Sequence, residues 1–215
     1  MRAQAQSLVT AFFAEHTALA GMESALTAAI ETMIATYRAG HKLVTAGSGG
    51  SAADAEHITG ELLKSFRCKR PLDAAFRADY VTKFGEDAVL DKLEGSLPAI
   101  NLGVNFPIFT AILNDTGAEV VFAQQALSLV NPGDVFLAIS TSGNSQMLIA
   151  AAKVAKVRGA QVVLLSGESG GQLRDWADIA LLAPSNETYR IQEMHIMLYH
   201  LFCAAVEKEF FVGDY

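Results

Sequence analysis

Two rhythms of apolar and polar positions alternate along this chain. Short runs in which nearly every residue is apolar, at 42–46 (KLVTA), 98–102 (PAINL), 134–139 (DVFLAI), 161–166 (QVVLLS) and 178–182, predict strands of a sheet covered on both faces. Between them, helical spacing predicts helices over 52–66, from near Asn105 towards Leu113, over 119–130 and over 144–158, and a long final helix over about 187–210. Asn114, Asp115 and Thr116 are expected to interrupt the helical run near 113. Two further helices, 4–19 and 22–39, precede the first strand and separate near Gly21; Leu26, Ile30, Met33 and Tyr37 mark the buried face of the second. Pro71 ends the helix over 52–66. The segment 72–96 is the least regular, with a helix expected near 86–94. Strands alternating with helices make an α/β fold around a parallel sheet. Residues 1–40 read as N-terminal helices and 41–215 as the ligand-binding domain.

Two strand-to-helix junctions carry the chemistry. Strand 134–139 runs into Ser140, Thr141, Ser142, Gly143, Asn144 and Ser145, and strand 42–46 into Gly47, Ser48, Gly49, Gly50 and Ser51. A single helix cap needs one short polar residue; here each junction holds several. Small hydroxyls and free backbone N–H groups at a helix N-terminus suit a phosphate dianion. Two such loops at the carboxyl ends of a parallel sheet point to a phosphorylated ligand. Neither loop has the Gly-Lys-Ser/Thr of a Walker P-loop or a G-x-G-x-x-G fingerprint.

Composition narrows the classes. Hydrophobic residues make up 51% of the 215 and charged residues only 18%, which suggests helices that bury apolar faces between subunits. Phe12 and Phe13, side by side, suggest packing against a partner chain. The net charge of −7 and dispersed Lys and Arg leave nucleic acid without an electrostatic footprint. One basic cluster, Lys64, Arg67, Lys69 and Arg70, reads as a solvated helix end that could also draw in a phosphate. Cys68 and Cys203 form no CxxC, which fits a reducing cytoplasm. No stretch reads as a signal peptide or membrane span.

His57 and Glu61 stand four apart, hence on one face of the helix that follows the first loop. On the final helix, Gln192 and His200 lie about 80° apart around the axis and so face one site. Taken singly, each histidine also reads as a satisfied, partly buried side chain, and Tyr199 reads as core.

GSGGSAADAEHITGEL, AISTSGNS and RIQEMHIMLYH together resemble the sugar isomerase (SIS) domain, and specifically the phosphoheptose isomerases, over nearly the whole chain. The resemblance implies a three-layer α/β sandwich with an N-terminal helical extension. It implies a zinc ion held by His57, Glu61, Gln192 and His200. Substrate contacts are implied for Ser48, Gly49, Gly50, Ser51, Asn114, Asp115, Ser140, Thr141, Ser142, Ser145 and Gln192. It further implies a cytoplasmic homotetramer with active sites between subunits, acting on a sugar phosphate without membrane or nucleic-acid partners. The implied reaction is aldose–ketose isomerisation of sedoheptulose 7-phosphate, with Glu61 as base and His200 as acid. The other readings are isomerisation of a different sugar phosphate, and a non-catalytic SIS protein partnering a replication initiator. Ser48 stands where the family usually has Asn, Ser65 where it has Arg, and Tyr189 where it has an acid; the segment 68–97 is longer than usual. These departures touch sugar recognition and leave the metal set intact.

Overall fold

The computed structural model describes residues 1–211. Strands β1 (Leu43–Gly47), β2 (Ala99–Asn101), β3 (Val135–Ser140), β4 (Gln161–Gly167) and β5 (Ile179–Ala183) form one sheet in the order β2-β1-β3-β4-β5. All four pairings are parallel. Every residue of β1 and β3 is buried, as their unbroken apolar runs require.

Successive strand residues point to opposite faces, and two cores result. Leu43, Val135, Leu137, Ile139, Val163, Leu165 and Leu181 face one core, built with α1 (Ala3–Glu15), α2 (Glu23–Arg38), α3 (Gly50–Leu63) and α8 (Thr188–Phe210). Val44, Ala46, Phe136, Ala138, Val162 and Leu164 face the other, which α6 (Val121–Leu129) and α7 (Gln146–Val157) cover. The result is a three-layer sandwich. The N-terminal helices share the first core with the sheet rather than forming one of their own.

Several local expectations are corrected. The first helix stops at Glu15, and a 3-10 turn over Thr17–Met22 replaces a break at Gly21. Phe13 is buried in the chain's own core, so it is no contact for a partner; Phe12, half-buried, packs beside it edge to face. Thr17–Arg38 is long and apolar enough by composition to cross a bilayer, with mean hydropathy 1.2, against the expectation of no such stretch. Its apolar side chains Leu26, Ile30 and Met33 are fully buried against the sheet, which accounts for that apolarity. No helix forms over 86–94. Instead α4 spans Ala74–Phe84, started by the Asp73 carboxylate accepting from Phe76 N–H (2.9 Å) and ended at Gly85. Asp87 Oδ1 then accepts from the Val89 and Leu90 N–H groups and shapes a 3-10 turn over Leu90–Lys92. Helix α5 (Phe106–Asp115) runs through Asn114 and Asp115 rather than being interrupted by them.

Candidate active site

The sheet order turns between β1 and β3: β2 lies beyond β1 on one side, β4 and β5 beyond β3 on the other. Open α/β sheets bind ligands at such a switch point, outside the carboxyl ends of the strands. Both polar loops sit there, one at the end of each strand.

The second loop is held mainly by its own backbone. Ser140 O accepts from Gly143 N–H (3.1 Å), and Ser166 Oγ donates to Ser140 O (2.6 Å). Ser142 Oγ accepts from Asn144 N–H (3.2 Å). Gly143 has φ +67°, and a Cβ there would fall 1.8 Å from Gly170 O, so no other residue fits. Ser145 occupies the N-cap of α7, yet its side chain makes no capping bond. The helix N-terminus and the Ser145 hydroxyl therefore remain open to an anion. Thr141 is half-buried and Ser142 exposed, both at the mouth of the same loop.

In the first loop Ser48, Gly49 and Gly50 are exposed and Ser51 is buried. A Cβ on Gly50 would fall 2.2 Å from Gln192 Nε2. The glycine thus lets a side chain of α8 rest directly on the loop. Two residue sets that the sequence reading connects to one site are brought into contact here.

Along α3 and α8 the remaining candidates meet. His57 Nε2 lies 3.1 Å from Glu61 Oε1, and the His57 and His200 rings stand edge to face with centroids 4.9 Å apart. Glu61 Oε2 is approached by Lys64 Nζ at 3.4 Å. His57 Nδ1 meets the Tyr199 hydroxyl at 3.0 Å, with the Asp54 carboxylate nearby. Burial pushes the Asp54 carboxyl above its ordinary range, while the Tyr199 hydrogen bond and the nearby His57 pull it back. Burial, and then the charge of His57, hold His200 below the usual imidazole value, so its ring is neutral at neutral pH. A groove of about 400 Å³, lined by Phe12, Glu15, Phe66, Arg67 and Met197 among others, opens beside His200.

The donor chemistry of His57, Glu61, Gln192 and His200 suits a zinc-type ion: two imidazoles, a carboxylate and an amide oxygen. His200 Nε2 is a buried nitrogen with no hydrogen-bond partner, as an atom reserved for a ligand is. Among the described residues no three His, Cys, Asp or Glu side chains are drawn around one point. The set fits in chemistry; His57, Glu61 and His200 are neighbours, and Gln192 rests on Gly50 at the start of α3.

Arg70 corrects the reading of a solvated basic cluster. It and Glu207 are fully buried, joined Nε to Oε1 at 2.8 Å. Glu207 also accepts from the Phe66, Arg67 and Cys68 N–H groups, and Arg70 donates to Leu62 O and Glu61 O, both at 2.6 Å. The last carbonyls of α3 are thereby satisfied, and the helix carrying Glu61 is tied to α8. Asn114 and Asp115 lie exposed at the end of α5 and bond each other (2.8 Å). Sequence reasoning missed Asp54 and the Tyr199 hydroxyl. Asp54, His57 and Glu61 follow helical spacing on one face, which was the available signal.

Two family models, each described as the SIS domain, match residues 9–100 and 109–207. The chain is 38% identical over 211 residues to a phosphoheptose isomerase of Trichlorobacter lovleyi, covering 96% of this chain and 95% of the relative. Among solved structures, a phosphoheptose isomerase from Neisseria gonorrhoeae aligns with TM-score 0.70 and 33% identity, over 94% of this chain and 98% of that one. A phosphoheptose isomerase from Francisella tularensis aligns with TM-score 0.75 and 28% identity, over 91% of each chain.

Proposed function

The chain belongs to the SIS-domain family, among its phosphoheptose isomerases, and from that premise we propose how it interconverts sedoheptulose 7-phosphate and an aldoheptose 7-phosphate. The observation that carries the reading is a juxtaposition. His57 and Glu61 are paired on α3 with His200 of α8 beside them, and the N-termini of α3 and α7, which no side chain caps, follow the carboxyl ends of the neighbouring strands β1 and β3.

The phosphate is held by the first-turn N–H groups of α3 and α7 and by hydroxyls of Ser48, Ser51, Ser140, Thr141, Ser142 and Ser145. Its charge anchors the far end of the sugar and leaves the carbonyl end for α3 and α8. Glu61 removes the proton from the carbon beside the carbonyl, while His200 gives a proton to the carbonyl oxygen. The resulting enediol(ate) takes the proton back on the neighbouring carbon, and one proton has moved between two carbons. His200, neutral through burial, has a ring N–H to give. Zinc held by His57, Glu61, Gln192 and His200 would polarise the carbonyl as a Lewis acid. The two Glu61 oxygens have separate neighbours, His57 and Lys64, which supports one carboxylate serving as both ligand and base.

The working form in this reading is a homotetramer in the cytoplasm, with sites completed between subunits. Its support is exposed apolar surface, including Val157, Phe84 and Phe106, and two cysteines that are free and buried. Asn114 and Asp115 then act on a site other than the one in their own chain.

The test is hydrogen–deuterium exchange at the carbon next to the carbonyl of sedoheptulose 7-phosphate, followed by NMR in D2O. Exchange that a chelator abolishes and zinc restores is the expected result. Binding of the sugar phosphate by folded, zinc-loaded protein without exchange would overturn catalysis and favour a regulatory role.

A further inference from the structure

We infer that Ser166 is a positioning residue for the phosphate end of the substrate: its buried hydroxyl draws the Ser140 carbonyl out of the second loop and so presents the Thr141 N–H to the anion. The inference rests on the isomerase reading only for which phosphate ester is bound.

In a trans peptide the carbonyl of one residue and the N–H of the next point in opposite directions. A loop that grips an anion with successive backbone N–H groups must therefore send its carbonyls elsewhere. From Ser140 to Gly143 every carbonyl has a partner. Ser140 O accepts from Ser166 Oγ (2.6 Å) and Gly143 N–H (3.1 Å), and Thr141 O accepts from Gly167 N–H (3.0 Å). Ser142 O accepts from Asn144 Nδ2 (2.9 Å), and Gly143 O from Leu173 N–H (2.9 Å). With the first two carbonyls drawn towards β4, the N–H groups of Thr141 and Ser142 point away from it. Among the described residues they meet no acceptor.

Ser166 stands beside Ser140 in the register of β3 and β4. It is fully buried, so its hydroxyl is out of reach of a ligand. A buried hydroxyl needs an acceptor, and Thr141 O at 3.5 Å is the far one; the hydrogen goes to Ser140 O. After Val162, Val163, Leu164 and Leu165, this one hydroxyl breaks the apolar run of β4 where the strand meets the loop. The turn after β4 packs on the loop from the same side: a Cβ on Gly171 would fall 2.4 Å from Ser142 O. Without the Ser166 hydroxyl, Gly143 N–H still holds Ser140 O, so the loop persists with its first peptide less tightly fixed.

The test separates grip from chemistry and from folding. Ser166→Ala removes the hydroxyl. Ser166→Cys keeps the volume with only a weak donor, and it carries the test if the alanine variant does not fold. In both, KM for sedoheptulose 7-phosphate and the inhibition constant of inorganic phosphate should rise together by about 2–10-fold, with kcat close to wild type. A role confined to folding would lower the melting temperature and leave KM and phosphate inhibition unchanged; that result overturns the inference. A fall in kcat at constant KM overturns it too. Titration with inorganic phosphate, followed on the Thr141 and Ser142 amide resonances, reads the same grip without turnover. Weaker phosphate binding in the variants of a wild type that isomerises no sugar phosphate upholds the positioning and overturns the isomerase reading. A wild type whose two amides do not respond to phosphate overturns the inference.

Discussion

The two loops at the switch point begin alike and end differently. Each leaves the carboxyl end of a buried strand through small polar residues and enters a helix whose N-terminus no side chain caps. After the first, α3 carries Asp54, His57 and Glu61 within its 14 residues. After the second, the inward positions of α7 are Leu148, Ile149, Ala151, Ala152 and Ala155, all apolar. One loop therefore delivers reactive groups and the other delivers only grip. Holding the substrate and changing it are physically separable here, and substitutions on the two sides have different kinetic signatures.

The largest expected effect is on the reactive side. Glu61→Gln keeps the shape of the side chain and removes its basicity, and kcat/KM should fall by about 10²–10⁴, the usual worth of general base catalysis. Binding of the sugar phosphate, measured by calorimetry, should persist; loss of binding as well would erase the distinction between the loops.

The next effect concerns the strut between the two sides. His195, on α8, lies 3.2 Å from Ser166 O, and Ser166 Oγ in turn donates to Ser140 O in the second loop. Burial holds the folded His195 pKa down to about 4, against 6.5 for the free group. The unfolded chain thus takes up the proton first as pH falls. Stability from this group is complete above about 6.5 and is lost as pH drops towards 4, by about 3 kcal/mol. Denaturant unfolding across that range should show the loss, and His195→Gln should flatten it. An equal slope in the variant would place the acid sensitivity elsewhere.

The smallest effect is on the gripping side. Removal of one hydrogen bond to a charged group costs about 1.5–3 kcal/mol. Ser145→Ala should accordingly raise KM roughly 10–100-fold with kcat close to wild type. If Ser145 served the helix instead of the ligand, the variant would lose thermal stability at unchanged KM.

Legibility in the sequence followed packing. Strands β1 and β3 stood out because burial on both faces leaves an unbroken apolar run. His57 and Glu61 were readable because a helix turns any i, i+4 pair into neighbours. Helix α4 was misplaced by about three turns because none of its residues is buried, so no apolar period marks it; Asp73 and Gly85 mark its ends instead. Arg70 looked solvated beside Lys64, Arg67 and Lys69, and only Glu207, 137 positions away, makes it a buried strut. Tyr199 was read as core, and its burial agrees. What one sequence hides is the hydroxyl's partner, since His57 meets it across a helix pair.

The buried Arg70 also fixes where the chain may vary. Its carbonyl accepts from Gly95 N–H (3.0 Å), and Leu97 N–H donates to Leu62 O (3.0 Å), so the excursion 71–94 departs and returns at one point. Of those 24 residues only Leu90 is buried. Closing a loop costs only about 0.6 kcal/mol more for each doubling of its length. In terms of inheritance, this stretch is an appendix grafted beyond a clamp. Insertions, trims and exchanges within it leave the registration of α3 against α8 untouched. Descendants of this gene have there a place to try new surfaces while the chemistry one turn away stays as it was.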